Sequence, residues 1–186
     1  MIKRLSQQIS QYLVANGAEE SEEVLAYGAE CFINEVISNG LLIVIGIVTN
    51  HVLEVLVWSV SFCLIRVNLG GLHASTHAMC IAIGTLIGAS SLMVSPFLLQ
   101  HIALASALML VAAVTASIIA PVPHKNKQHV QAKKEAIRRK VIITAVLECI
   151  VALVLYFVSP VIASYVMSGL IMATALGFAG FLWNPR

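Results

Sequence analysis

The chain has 186 residues, 59% of them hydrophobic and only 11% charged, with mean hydropathy +0.92 and a formal net charge of +2. Soluble domains carry about 25% charged residues. The composition therefore excludes a water-soluble enzyme and predicts an integral membrane protein with little room for a separate soluble domain. All nine acidic residues are glutamates, which excludes an aspartyl protease or an Asp-containing triad.

The first segment, 1–17, places Ile2, Leu5, Ile9, Tyr12 and Leu13 at helical spacing among Ser, Gln and Lys. It lacks the continuous apolar run of a secretory signal. It reads as an amphipathic helix too polar to span, lying on the membrane surface and ending at Asn16-Gly17.

Six apolar segments follow, at 24–49, 51–68, 77–95, 98–120, 141–158 and 160–183, each long enough for a hydrocarbon core about 30 Å thick. The expected fold is all-α: a single integral membrane domain over 1–186, with six transmembrane helices behind the surface helix. The connections at 49–51, 95–101 and 159–160 hold no Lys or Arg. All eleven cations sit at the termini and in loops 66–76 and 121–140. That alternation predicts a multi-pass protein with both termini and both of these loops cytoplasmic.

Carboxylates at membrane depth normally face the bundle interior. Glu54 and Glu148 fit that description, whereas Glu30 and Glu35, in the first turns of span one, are open to a plainly solvated reading. Of the four cysteines, Cys31, Cys63 and Cys149 read as inert small hydrophobes.

Between spans two and three, fifteen positions hold Arg66, Gly70, Gly71, His73, His77 and Cys80. The glycine pair breaks the helix, and Ser75 or Thr76 is a suitable N-cap for the next one. Cys80 then falls one turn inside a helix. Helix N-termini and imidazolium groups stabilise anions, which suits a thiol that acts as a thiolate. The reducing cytoplasm keeps such a thiol free. His77 shares a helical face with Cys80 at i,i+3, so local geometry favours it as the base. His73 would be roughly 10 Å away along a continuous helix, and approaches Cys80 only if the glycine segment folds back.

The loop 121–140 breaks span four at Pro121 and Pro123, then runs as a basic helix from Gln131 to Lys140 into span five. It carries seven of the eleven cations: Lys125, Lys127, Lys133, Lys134, Arg138, Arg139 and Lys140. Two readings stand for it, a topology anchor on anionic lipid or a docking patch for an acidic or phosphorylated ligand.

Arg66, Gly70-Gly71, His73 and Cys80, with Tyr27-Gly28-Ala29-Glu30 and the Ala120-Pro121 opening of the Lys-rich loop, resemble the accessory gene regulator B family. The resemblance covers nearly the whole chain, its specific part being the Arg-Gly-Gly-His-Cys pattern. Leu72 departs from it, standing where an aromatic residue is common. The resemblance implies a membrane-embedded cysteine peptidase that processes the precursor of a cyclic quorum-sensing peptide, without a metal or other cofactor. It implies His73 as base and Cys80 as nucleophile, with His77 auxiliary or a bystander. Arg66, Gly70, Gly71 and Glu30 are auxiliary candidates, the glycine amides as oxyanion donors or the glycines as simple helix breakers. The implied partners are a short propeptide with an acidic tail, membrane lipid and a second copy of the chain, and no nucleic acid.

Two rivals remain on the residues alone. His73, His77 and Cys80 follow an H-x3-H-x2-C spacing that can hold zinc, though Ala74 stands where H-E-x-x-H needs its glutamate. A small peptide exporter relaying through the glutamates would tolerate loss of Cys80.

Overall fold

The computed structural model describes residues 2–18, 20–71, 76–122 and 134–183. These form seven helices: α1 Ile2–Ala15, α2 Glu22–Thr49, α3 Val52–Leu69, α4 His77–Gln100, α5 Ile102–Ile119, α6 Lys134–Val158 and α7 Pro160–Trp183. α2 to α7 are each long and apolar enough to cross a membrane, in the order expected. Large side chains such as Phe32, Val48, Met93 and Phe157 stand mostly out from the bundle, as lipid-facing residues do.

The turn between the third and fourth spans differs from expectation. α4 continues through Pro96 to Gln100, which leaves only His101 before α5. A proline is tolerated in a membrane helix because neighbouring helices and Ser or Thr side chains satisfy the freed backbone. Beside it, Ser95 Oγ pairs with Ser168 Oγ of α7 at 2.7 Å. At the other end of the bundle the basic helix is continuous with span five from Lys134 onward, and the expected start at Gln131 lies outside the described residues.

α1 is a helix as predicted, but its apolar stripe is not the face it packs with. Ser6 and Ser10 are completely buried against the bundle, while Leu5, Tyr12 and Leu13 remain exposed. Two small residues four apart let helix backbones approach closely. The serine face meets α2, and the Leu/Tyr face is left for lipid.

The centre of the bundle is α7, which contacts α3, α4, α5 and α6 and is the most buried span. Its sequence explains this: Ala163, Ser164, Ser168, Gly169, Ala173, Thr174, Gly177 and Gly180 are small and all buried. Hydrophobic force is weak between helices in lipid, so close backbone approach and polar contacts hold them together. At Gly169 a Cβ would lie 2.6 Å from Ser61 Oγ and 3.1 Å from the Phe62 backbone nitrogen. Ser61 in turn donates to the buried Glu148 carboxylate at 2.7 Å, with Val166 O 3.0 Å away. Gly169→Ala should therefore push α3 from α7 and strain that contact, costing about 1–3 kcal/mol. A lowered melting temperature in detergent is the check.

Candidate active site

The site is built where α3 ends and α4 begins. Gly70 has φ +80°, a conformation that favours glycine, and its N–H donates to Arg66 O at 2.9 Å. Gly70 thus acts as the helix C-cap, and its amide is not directed at an oxyanion. Gly71 is buried with the Arg66 guanidinium directly against it, so that a Cβ there would collide with Nη1. Arg66 lies over the Phe62 ring at 5.8 Å, a cation–π distance, and lies in the last turn of α3, where a cation suits the helix dipole.

α4 starts as the sequence requires. Thr76 is extended and its side chain accepts the Met79 N–H at 3.2 Å, the N-cap bond. The Cys80 N–H donates to Thr76 O at 3.0 Å, which places the thiol one turn inside the helix, half-buried. The other cap candidate, Ser75, lies outside the described residues, as do Leu72 and His73, the expected base.

Beside Cys80 is a cavity of about 40 Å³ walled by four helices, with Asn34, Glu35 and Ser38 from α2, Arg66 from α3, Gly84 from α4 and Leu176 from α7. A water molecule needs about 10–15 Å³ of such space, so there is room for a few waters and no more. Tyr27 lies within electrostatic reach of Cys31, Cys80 and Arg66. Glu35 is not simply solvated: its Oε1 accepts the Cys63 thiol at 3.0 Å, so Cys63 is also more than an inert hydrophobe.

His77 turns toward α2. Its Nδ1 is 3.2 Å from Asn34 Nδ2, and its Nε2 is 3.8 Å from Glu30 Oε2. Glu30, again not merely solvated, has Ser6 of α1 on its other oxygen at 3.4 Å. A zinc site of H-x3-H-x2-C type needs a His77 nitrogen turned to the metal, and both ring nitrogens face α2 instead.

The Val122 N–H donates to Leu69 O at 2.9 Å, which ties the start of the basic loop to the end of α3 beside the glycine pair. Lys134, Arg138, Arg139 and Lys140 are exposed in the first turns of α6, with Arg138 Nε on Ser117 O at 2.8 Å. Lys125, Lys127 and Lys133 lie outside the described residues.

Tyr27, Asn34, Glu35 and Ser38 were not singled out from the sequence as site residues. A signal was present, since Tyr27, Glu30 or Cys31, Asn34 and Ser38 form a polar stripe at helical spacing along an apolar span.

A family model described as Accessory gene regulator B matches residues 6–179. No curated protein and no solved structure matches the chain.

Proposed function

The chain belongs to the accessory gene regulator B family and so takes part in processing a quorum-sensing peptide; from that premise we propose that it is a membrane-embedded cysteine endopeptidase. The observation that carries the proposal is Cys80 itself. It is half-buried at the start of α4, beside a water-scale cavity that also holds Arg66 and Glu35. That is a shielded thiol at the end of the bundle where the basic loop begins.

The proposed substrate is a short precursor with an amphipathic leader, a signal segment and an acidic tail. The Cys80 thiolate attacks the carbonyl carbon at the end of the signal segment, forming a C–S bond. The peptide C–N bond breaks, and His73 passes a proton to the departing tail amine. The signal segment is left on Cys80 as a thioester. A Cys thiol or Ser hydroxyl within the segment then gives its proton to His73 and attacks the same carbon, closing a thiolactone or lactone and releasing Cys80 as thiolate. A thioester keeps the acyl reactivity that hydrolysis would discard, so little space for water beside Cys80 favours ring closure.

Arg66 orients the glycine segment, its guanidinium seated against Gly71. The seven cations of loop 121–140 receive the acidic tail, on the cytoplasmic side by the charge alternation of the loops, and a second copy of the chain is the proposed oligomeric partner. Replacing Lys134, Arg138, Arg139 and Lys140 together with glutamine should raise KM about tenfold or more and flatten its salt dependence, with kcat little changed. Steady-state kinetics at two ionic strengths check this.

The reading as a whole is tested by co-expressing the chain with its cognate precursor and weighing the peptide products. Tail-free cyclic peptide is expected. Recovery of only intact precursor from the wild-type chain would contradict it.

A further inference from the structure

The proposed chemistry leaves His77 without a task, yet it is among the most constrained side chains at the site. Its ring bridges to α2 through both nitrogens: Asn34 Nδ2 at 3.2 Å from Nδ1, and Glu30 Oε2 at 3.8 Å from Nε2. Asn34 is buried, and Glu30 and His77 are each about three-quarters enclosed. An amide N–H directed at Nδ1 leaves the proton of a neutral ring on Nε2, which faces the Glu30 carboxylate at 3.8 Å, beyond hydrogen-bond length. His77 is the first residue of α4, three before Cys80. Its side chain therefore fixes the turn that carries the thiol, while the Thr76 cap fixes the backbone of the same turn.

The chain of contacts extends outward. Glu30 Oε1 has the fully buried Ser6 Oγ of α1 at 3.4 Å, the longer branch of a hydroxyl that also donates to Lys3 O at 2.9 Å. The surface helix, Glu30, His77 and the first turn of α4 are thus linked in series, with Asn34 closing the other side.

We infer that His77 is a positioning residue, clamped between Asn34 and Glu30 so that the start of α4 holds Cys80 in attacking geometry, and that α1 supports this clamp through Ser6. The inference rests on Cys80 being the nucleophile. It assigns His77 no proton transfer, because both ring nitrogens turn toward α2, Nδ1 to Asn34 and Nε2 to Glu30. Misplacing a reacting atom by about 1 Å can cost roughly 10²-fold in rate, so the loss of a clamp is large enough to read.

The test uses the full-length protein in detergent with iodoacetamide as the probe, the alkylated cysteine located by peptide mass spectrometry. Precursor processing is measured in parallel. His77→Ala and Asn34→Ala should each lower kcat about tenfold with KM unchanged, and should change the Cys80 alkylation rate without changing that of Cys63. The double variant should be no worse than either single one. Glu30→Gln and Ser6→Ala should show smaller changes in the same direction. His77→Gln, whose terminal amide can put a donor toward Glu30, should recover most of the rate.

Wild-type kinetics and Cys80 alkylation in His77→Ala would overturn the inference. So would a loss as complete as that of Cys80→Ala without rescue by glutamine, which would make His77 the base. Additive effects of His77→Ala and Asn34→Ala would also overturn it. Failure of the peptidase reading is separable: it shows as normal processing by Cys80→Ala, whereas the alkylation rates judge the clamp without any substrate.

Discussion

Cys80→Ala is expected to abolish removal of the acidic tail, a loss of at least roughly 10³-fold, since no other group in the proposed mechanism can form the covalent intermediate. The thiol is placed for this role by features that survive the substitution. The Thr76 cap, the Cys80 N–H bond to Thr76 O and the His77 contacts with α2 involve no atom of the thiol. The variant should therefore fold, insert and bind precursor with near-normal affinity, so that the defect lies in kcat alone. Cys31, Cys63 and Cys149 serve as controls. Cys149 lines an apolar groove between α5 and α6, and Cys63 points at Glu35, so substituting either should leave tail removal within a few-fold of wild type. Mass spectrometry of the peptide from each variant is the check.

The second large effect is expected at His73. His73→Ala should lower kcat by about 10²–10⁴-fold, the range for loss of a general acid–base group. The contrast with His77 is the informative part. Helical spacing alone favours His77, at i,i+3 from the thiol. In the structure Nδ1 of His77 meets Asn34 at 3.2 Å and Nε2 faces Glu30 at 3.8 Å, so both ring nitrogens turn to α2 and not to Cys80. The base is then expected from the segment after the glycine pair, where His73 stands. A deep loss in His73→Ala with a modest, glutamine-rescued loss in His77 variants is the expected pattern. The reverse pattern, measured as kcat on the same precursor, would reassign the base.

Much of the fold was legible because a membrane segment announces itself by length and hydropathy. All six spans appear in the predicted order, and the start of α4 was readable from Ser75 or Thr76 ahead of an apolar run, with Thr76 serving as the cap. The expected end of the third span at 95 falls short because α4 runs on through Pro96 to Gln100, as a membrane helix can where its neighbours satisfy the freed backbone. The central position of α7 was not read, since its hydropathy resembles that of its neighbours. Its information lies in the small residues between Ala163 and Gly180, which matter for close packing in lipid and add nothing to a hydropathy plot. The same reason explains α1, where a pair of serines, not the apolar stripe, faces the bundle.

At the candidate site, the Arg-Gly-Gly-His-Cys pattern describes one wall only. The partners come from span one, more than forty residues upstream, where Tyr27, Glu30, Asn34 and Glu35 look scattered until they are placed on a helix. Their roles depend on which helix α2 packs against, and a tertiary contact of that kind is not written in local spacing. Gly70 shows the converse: its amide, a candidate oxyanion donor by sequence, is used to end α3.

The central claim is that the signal segment passes through a thioester on Cys80. The most direct measurement incubates the purified protein with a precursor whose ring-closing Cys or Ser is replaced by alanine, so that the second step cannot occur. The protein is then digested and weighed. The account predicts a Cys80-containing peptide heavier by the tail-free precursor, released by hydroxylamine, with free acidic tail in equal amount. Tail release with Cys80 unmodified, or release undiminished in Cys80→Ala, would contradict it.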